Sequence, residues 1–135
     1  MTEQKLIPRQ PESQLILIVD DEVTIAEVLA EFILDLGYTP LMAQNGQEAL
    51  ELARQHRPAL IMTDVMMPVM NGKDFVRALR KEADAQQKAV PPIILLTAAG
   101  KNITTDLHVD AIITKPFELD ELERLLYRLL DPFAT

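Results

Sequence analysis

The sequence predicts an α/β fold: a doubly wound, five-stranded parallel sheet with helices on both faces. Two observations carry this. Five short apolar runs alternate with segments of helical period, the pattern of a (βα)5 chain. The runs are also rich in Ile, Leu and Val and mostly continuous, as in strands buried on both faces. At 135 residues, 48% hydrophobic and 25% charged, the chain is sized and composed for one globular core.

The strands are expected at LILIV (15–19), PLMA (40–43), ALIMT (59–63), PIILLT (92–97) and AIIT (111–114). Between them the first helix carries Val23, Ala26, Val28, Leu29, Phe32, Ile33 and Leu36 as its apolar stripe, stopped by Gly37. A second runs from about Gly46 to His56, with Ala49, Leu50, Leu52 and Ala53 inward. A third opens near Asn71–Gly72, carries Phe75, Val76, Leu79 and Ala83, and has a long exit, KEADAQQKAVPP. The last spans about Leu119 to Leu130, with Leu122, Leu125, Leu126 and Leu129 inward. The segment AAGKNITTDLHVD, between the fourth and fifth strands, has weak periodicity, so a short or irregular helix is expected there. Right-handed crossovers leave few topologies. The common five-strand solution has order 2-1-3-4-5, with its ligand crevice at the carboxyl ends of strands 1 and 3.

Composition removes several functions. No cysteine is present, which excludes disulfides and thiolate-ligated metal. No apolar run approaches the roughly 20 residues of a membrane span. A net charge of −8 argues against a nucleic-acid surface. Residues 1–13 are polar with two prolines and lack a signal-peptide h-region. They read as a flexible tail on a cytoplasmic protein, ahead of a domain at 14–131 and a short tail at 132–135.

The strand ends carry the chemistry. Strand 1 runs into Asp20, Asp21 and Glu22; strand 3 ends on Asp64, strand 4 on Thr97, strand 5 on Lys115–Pro116. Parallel strands put all of these along one edge. Two carboxylates about 4 Å apart repel by roughly 4 kcal/mol at an effective dielectric near 20. One lysine offsets only part of that. An oxygen-only donor set points to a hard divalent cation, Mg²⁺ above all, with Mn²⁺ as a stand-in. Each piece also has a plain reading. Asp20–Asp21 could be cap and first-turn charges, and Glu22 reads that way. Thr97 alone is a strand terminus, and Lys115 alone a solvated lysine. The joint placement after four strands favours a site.

With LILIVDDE, LIMTDVMMPVMNG, IILLTA and TKPF in place, the chain from about Leu15 to Leu130 resembles a receiver domain of the response regulators. This is the CheY-like superfamily, with a flavodoxin-like fold. The resemblance implies two-component signalling rather than enzymatic turnover. Asp64 would accept a phosphoryl group from a histidine kinase or phosphotransfer protein. Asp21 would bind Mg²⁺ directly, Asp20 through water, and Asp64 and the backbone carbonyl of Met66 would complete the set. Lys115 would pair with Asp64 and then with a phosphoryl oxygen, and its bond to Pro116 would be cis. Thr97 would turn its hydroxyl to the phosphoryl group, with Ala98 as the small neighbour that leaves room. The output would be a contact with an unknown downstream protein, the chain being a monomer or weak dimer.

Two departures stand out. The family's aromatic switch position, three residues before the lysine, is Ile112. The interval from Thr97 to Lys115 is about four residues short of the family's usual spacing, and the loss falls in the helix between strands 4 and 5. Met66 and Ala99, where a residue can orient water, cannot do so through their side chains, so self-dephosphorylation is expected to be slow. His56 and His108 are read as solvated, Met62, Met66, Met67 and Met70 as core and loop filling, and Arg77, Arg80 and Lys81 as a solvated face. The chain ends soon after the last helix, and a stand-alone switch is expected. The alternatives are a receiver excised from a larger regulator or hybrid kinase, and an interaction module that works without phosphorylation. An aspartyl hydrolase is disfavoured because Met66 stands where a second Asp is usual. A nucleotide-binding Rossmann domain is disfavoured because no Gly-rich loop follows strand 1.

Overall fold

The computed structural model describes residues 15–98 and 107–130. The expected tails, and residues 99–106 of the segment where a short or irregular helix is expected, including Ala99, lie outside the described residues. The elements are β1 (Leu15–Val19), α1 (Val23–Asp35), β2 (Thr39–Ala43), α2 (Gly46–His56), β3 (Leu60–Asp64), α3 (Gly72–Gln86), β4 (Ile93–Ala98), β5 (Ala111–Lys115) and α4 (Leu119–Leu130). The strands form one sheet in the order β2-β1-β3-β4-β5, and every pairing is parallel. The predicted class and strand order hold.

Side chains alternate across a strand, so each central strand feeds two cores. Ile16, Ile18, Leu60, Met62, Ile94 and Leu96 face α1 and α4, where they meet Leu29, Ile33, Leu122 and Leu126. Leu17, Val19, Ile61, Ile93 and Leu95 face α2 and α3, where they meet Ala49, Leu50, Phe75 and Val76. The expectation that most strands are buried on both faces holds: β1, β3 and β4 are, and only the edge strands β2 and β5 are partly exposed. An edge strand has a partner on one side only and shows residues such as Met42 and Ile112 to solvent.

The expected stripe of α1 needs correcting. Val23 and Val28 are exposed, and Ala30 is buried in their place. The buried set Ala26, Leu29, Ala30 and Ile33 follows the i, i+3, i+4, i+7 face, which Val28 misses by about two residues of rotation. Met66 is also exposed, whereas Met62 is core and Met67 and Met70 pack on the α2/α3 side.

Helix starts fix the strand-end loops. Asn45 caps α2 by accepting from the Glu48 amide at 2.8 Å, and Asn71 caps α3 by accepting from the Asp74 amide at 2.9 Å. Gly72 is required by contact rather than by turn geometry. A Cβ there would fall inside the Asp64 carbonyl, and the Gly72 amide bonds the Val65 carbonyl at 2.9 Å. The start of α3 is thereby pressed against the end of β3. Between them Val69 sits at φ 70, a costly conformation for a β-branched residue.

Candidate metal and phosphoryl-transfer site

Four strand ends converge on one edge of the sheet. Asp20 is fully buried and Asp64 nearly so, while Asp21 is exposed. Each can place one oxygen within 4.8 Å of the others. Asp20 is held at both oxygens. Its Oδ1 accepts the Glu22 amide at 2.9 Å, a local turn that starts α1, and its Oδ2 accepts from Lys115 Nζ at 2.9 Å. Lys115 Nζ also reaches Asp64 Oδ2 at 3.3 Å. The Met66 backbone amide, just beyond Asp64 in the chain, favours the charged form of its carboxylate.

Lys115 was expected to pair with Asp64. It does, but its shorter bond is to Asp20. A third acid is present as well: Glu22 Oε1 lies 3.6 Å from Nζ. Glu22 is the N-cap residue of α1, yet its side chain makes no cap bond. The reading of Glu22 as a first-turn helix charge is therefore corrected. It sits before the first turn and leans toward the lysine. The contiguous Asp-Asp-Glu run was the only sequence signal for it.

The electrostatics are unbalanced. Burial pushes the Asp64 carboxyl above its usual 3.8; Lys115 opposes that rise, and the charge of Asp20 adds to it. For Lys115 burial pulls downward, but the hydrogen bond and charge of Asp20, followed by those of Asp64, leave it above 10.5. One ammonium thus faces an acidic cluster whose central carboxyl carries a cost in its charged form. The oxygen-only donor set and this residual negative charge fit a hard divalent cation, which Asp20, Asp21 and Asp64 would hold.

Thr97 is buried in β4 and pairs in register with Thr114; Ala98 follows it, exposed, and pairs with Lys115. Because Asp64 pairs with Leu96, Thr97 stands one residue further along the neighbouring strand toward the loops. The Lys115–Pro116 bond is cis. Ile112 lies two-fifths exposed on the edge strand, away from the acidic cluster. His56 and His108 are exposed and do not join the site.

The response regulator receiver domain model matches residues 16–127. Response regulator Rre1 of Synechocystis is 37% identical over 122 residues, covering 85% of this chain and 51% of that protein. The chain spans about half the length of the curated relatives it matches. Among solved structures, chemotaxis protein CheY4 of Vibrio cholerae matches at 30% identity with a TM-score of 0.72, over 85% of this chain and 97% of that one. The receiver domain of a signal transduction histidine kinase from Syntrophus aciditrophicus matches at 33% identity and a TM-score of 0.73, over 89% of this chain and 92% of that one. The family match spans the strands that bring Asp20, Asp21, Asp64, Thr97 and Lys115 to one edge, and the chain belongs to the response regulator receiver domain family.

Proposed function

We propose that Asp64 is the phosphoacceptor. The observation that carries this is a single buried carboxylate at the end of the central strand β3, beside Asp20 and 3.3 Å from Lys115. A carboxylate oxygen of Asp64 attacks the phosphorus of a phosphohistidine on a histidine kinase or phosphotransfer protein. The P–N bond breaks, the imidazole leaves with the electron pair and takes a proton, and an acyl phosphate forms. The nucleophile needs no deprotonation at neutral pH, so positioning and charge neutralisation are what the chain must supply.

Asp20, Asp21, Asp64 and the Met66 carbonyl are the residues that would hold Mg²⁺. When bound, that ion supplies charge neutralisation at the transferring oxygens. Lys115 supplies a second positive charge from the carboxyl end of β5, on the same edge. Thr97 offers a hydroxyl from β4, with Ala98 leaving room beside it. These groups assist the domain's own phosphorylation, and the product adds charge and acceptor oxygens that a bare carboxylate lacks. Thr97 and Lys115 respond to that difference and shift the loop after β5, changing a contact with a downstream protein. The Met66 side chain, two-thirds exposed and apolar, cannot orient an attacking water, which favours a long-lived acyl phosphate. The kinase partner carries a cytoplasmic location with it. No described helix is long and apolar enough to cross a membrane.

The test is labelling with a radioactive phosphodonor in the presence of Mg²⁺. Wild type is expected to label, Asp64→Asn is not, and the label is to be lost in alkali as an acyl phosphate is. Labelling that persists in Asp64→Asn refutes the assignment. A wild type that never labels favours the phosphorylation-independent interaction module.

A further inference from the structure

Asp20 already holds one cation, and a second one drawn beside it would repel the first. In this structure Lys115 Nζ occupies its Oδ2 at 2.9 Å, while the Glu22 amide occupies Oδ1. A divalent cation drawn to the Asp20–Asp21–Asp64 cluster meets an ammonium already on one of its ligands. Lys115 must then give up some of its hold on Asp20, and a displaced ammonium needs another partner.

Glu22 is placed to be that partner. Its Oε1 is 3.6 Å from Nζ, beyond a good hydrogen bond but within reach of a small side-chain movement. Its carboxylate has no capping duty on α1 and is about three-fifths exposed. Space is available on that side: a groove of about 440 Å³ is lined by Glu22, Ile25, Val28, Lys115, Pro116 and Phe117. On the other side lie the buried carboxylates of Asp20 and Asp64. The Glu22 main chain meanwhile keeps Asp20 Oδ1 in place. The backbone of this residue thus orients a metal-side carboxylate while its side chain waits beside the lysine.

We propose that Glu22 is a positioning residue for Lys115, receiving its ammonium from Asp20 when a divalent cation occupies the acidic cluster. The handover rests on the metal-site reading above. It keeps the lysine at the rim of the site, near Asp64, instead of releasing it to solvent. Two adjacent acids thereby have different tasks: Asp21 faces the cation, Glu22 the lysine.

The experiment is a double-mutant cycle on Mg²⁺ affinity, with Glu22→Gln, Lys115→Gln and the double variant compared by titration calorimetry. The metal-free proteins serve as folding controls by circular dichroism. Glu22→Gln is expected to weaken Mg²⁺ binding about fivefold in wild type but less than about twofold in the Lys115→Gln background, the remainder being the general field of a lost charge. Nuclear magnetic resonance adds a direct signature. With Mg²⁺ bound, the Lys115 ε-methylene signals should stay dispersed in wild type and move to solvent-like values in Glu22→Gln. Equal weakening in both backgrounds overturns the proposal, because Glu22 then acts on the cation itself. No weakening in wild type overturns it too. A wild type with no Mg²⁺-dependent shifts at Asp20, Asp21 and Asp64 would sink the metal site and the handover together. That failure is distinct from a flat cycle in a protein that binds Mg²⁺.

Discussion

Neutralising Asp64 is expected to stabilise the metal-free protein. Asp20 and Asp21 can each present an oxygen within 4.8 Å of one on Asp64. At an effective dielectric near 20, each such pair repels by about 3.5 kcal/mol. Lys115, at 3.3 Å, attracts Asp64 by about 5 kcal/mol on the same scale. Asp64→Asn therefore removes two repulsions and loses one attraction, leaving about 2 kcal/mol in its favour. Asp21 is exposed, so its share is screened, while the burial cost of the charged carboxyl is also released. The working expectation is about 1 kcal/mol of added stability, near 4 °C in melting temperature for a domain of this size. Lys115 is not orphaned by the change, because it keeps Asp20 at 2.9 Å. Urea denaturation in EDTA, followed by far-ultraviolet circular dichroism, measures the difference. Adding Mg²⁺ should narrow it, since only wild type retains the full ligand set. An Asp64→Asn protein less stable than wild type without metal would refute the charge accounting. It would mean that the Lys115–Asp64 attraction outweighs the crowding.

Lys115→Met should have the opposite sign. It leaves buried Asp20 without its cation, costs about 3 kcal/mol without metal, and should be partly rescued by Mg²⁺ in the same urea assay. The pH dependence follows from Asp64, whose folded pKa lies above its unfolded value. The folded state holds that proton more tightly, so the contribution is fully present below 3.8 and is lost as pH rises through the folded value. The metal-free stability gap between wild type and Asp64→Asn should therefore close as pH falls toward 3.8; a widening gap would contradict the raised carboxyl. Gly72→Ala pushes a methyl into the Asp64 carbonyl. A loss of about 2 kcal/mol is expected, with shifted amide signals at Asp64 and Val65, and an unperturbed spectrum would show that the contact is not tight.

Much of this site is legible in the chain because a parallel sheet converts sequence position into place. Asp20, Asp64, Thr97 and Lys115 each stand at a strand's carboxyl end, and strand order makes those ends neighbours. The long third helix and the apolar faces of α2 and α4 follow from period alone. Errors arose where period is a weak guide. Val28 is apolar enough to be assigned to the core, but burial depends on rotation about the helix axis relative to the sheet, which α1 sets through Ala26, Leu29, Ala30 and Ile33. Which strands lie at the edges, and so stay partly exposed, depends on strand order rather than on composition.

The sequence by itself determined the fold class and the set of acids, hydroxyl and lysine at the strand ends, because those follow from hydrophobic period and chain direction, while the strand order came from the common topology of five-strand parallel sheets. Only the tertiary structure decided how that set divides its charges. Lys115 comes from β5, three places from β1 in the sheet order with β3 and β4 between them, and its bonding depends on the reach of one flexible side chain over that edge. There Asp20 lies closer than Asp64, and Glu22 stands third in line. Those separations differ by less than 1 Å, a scale at which Coulomb energies decide partnership but residue spacing along the chain has no say.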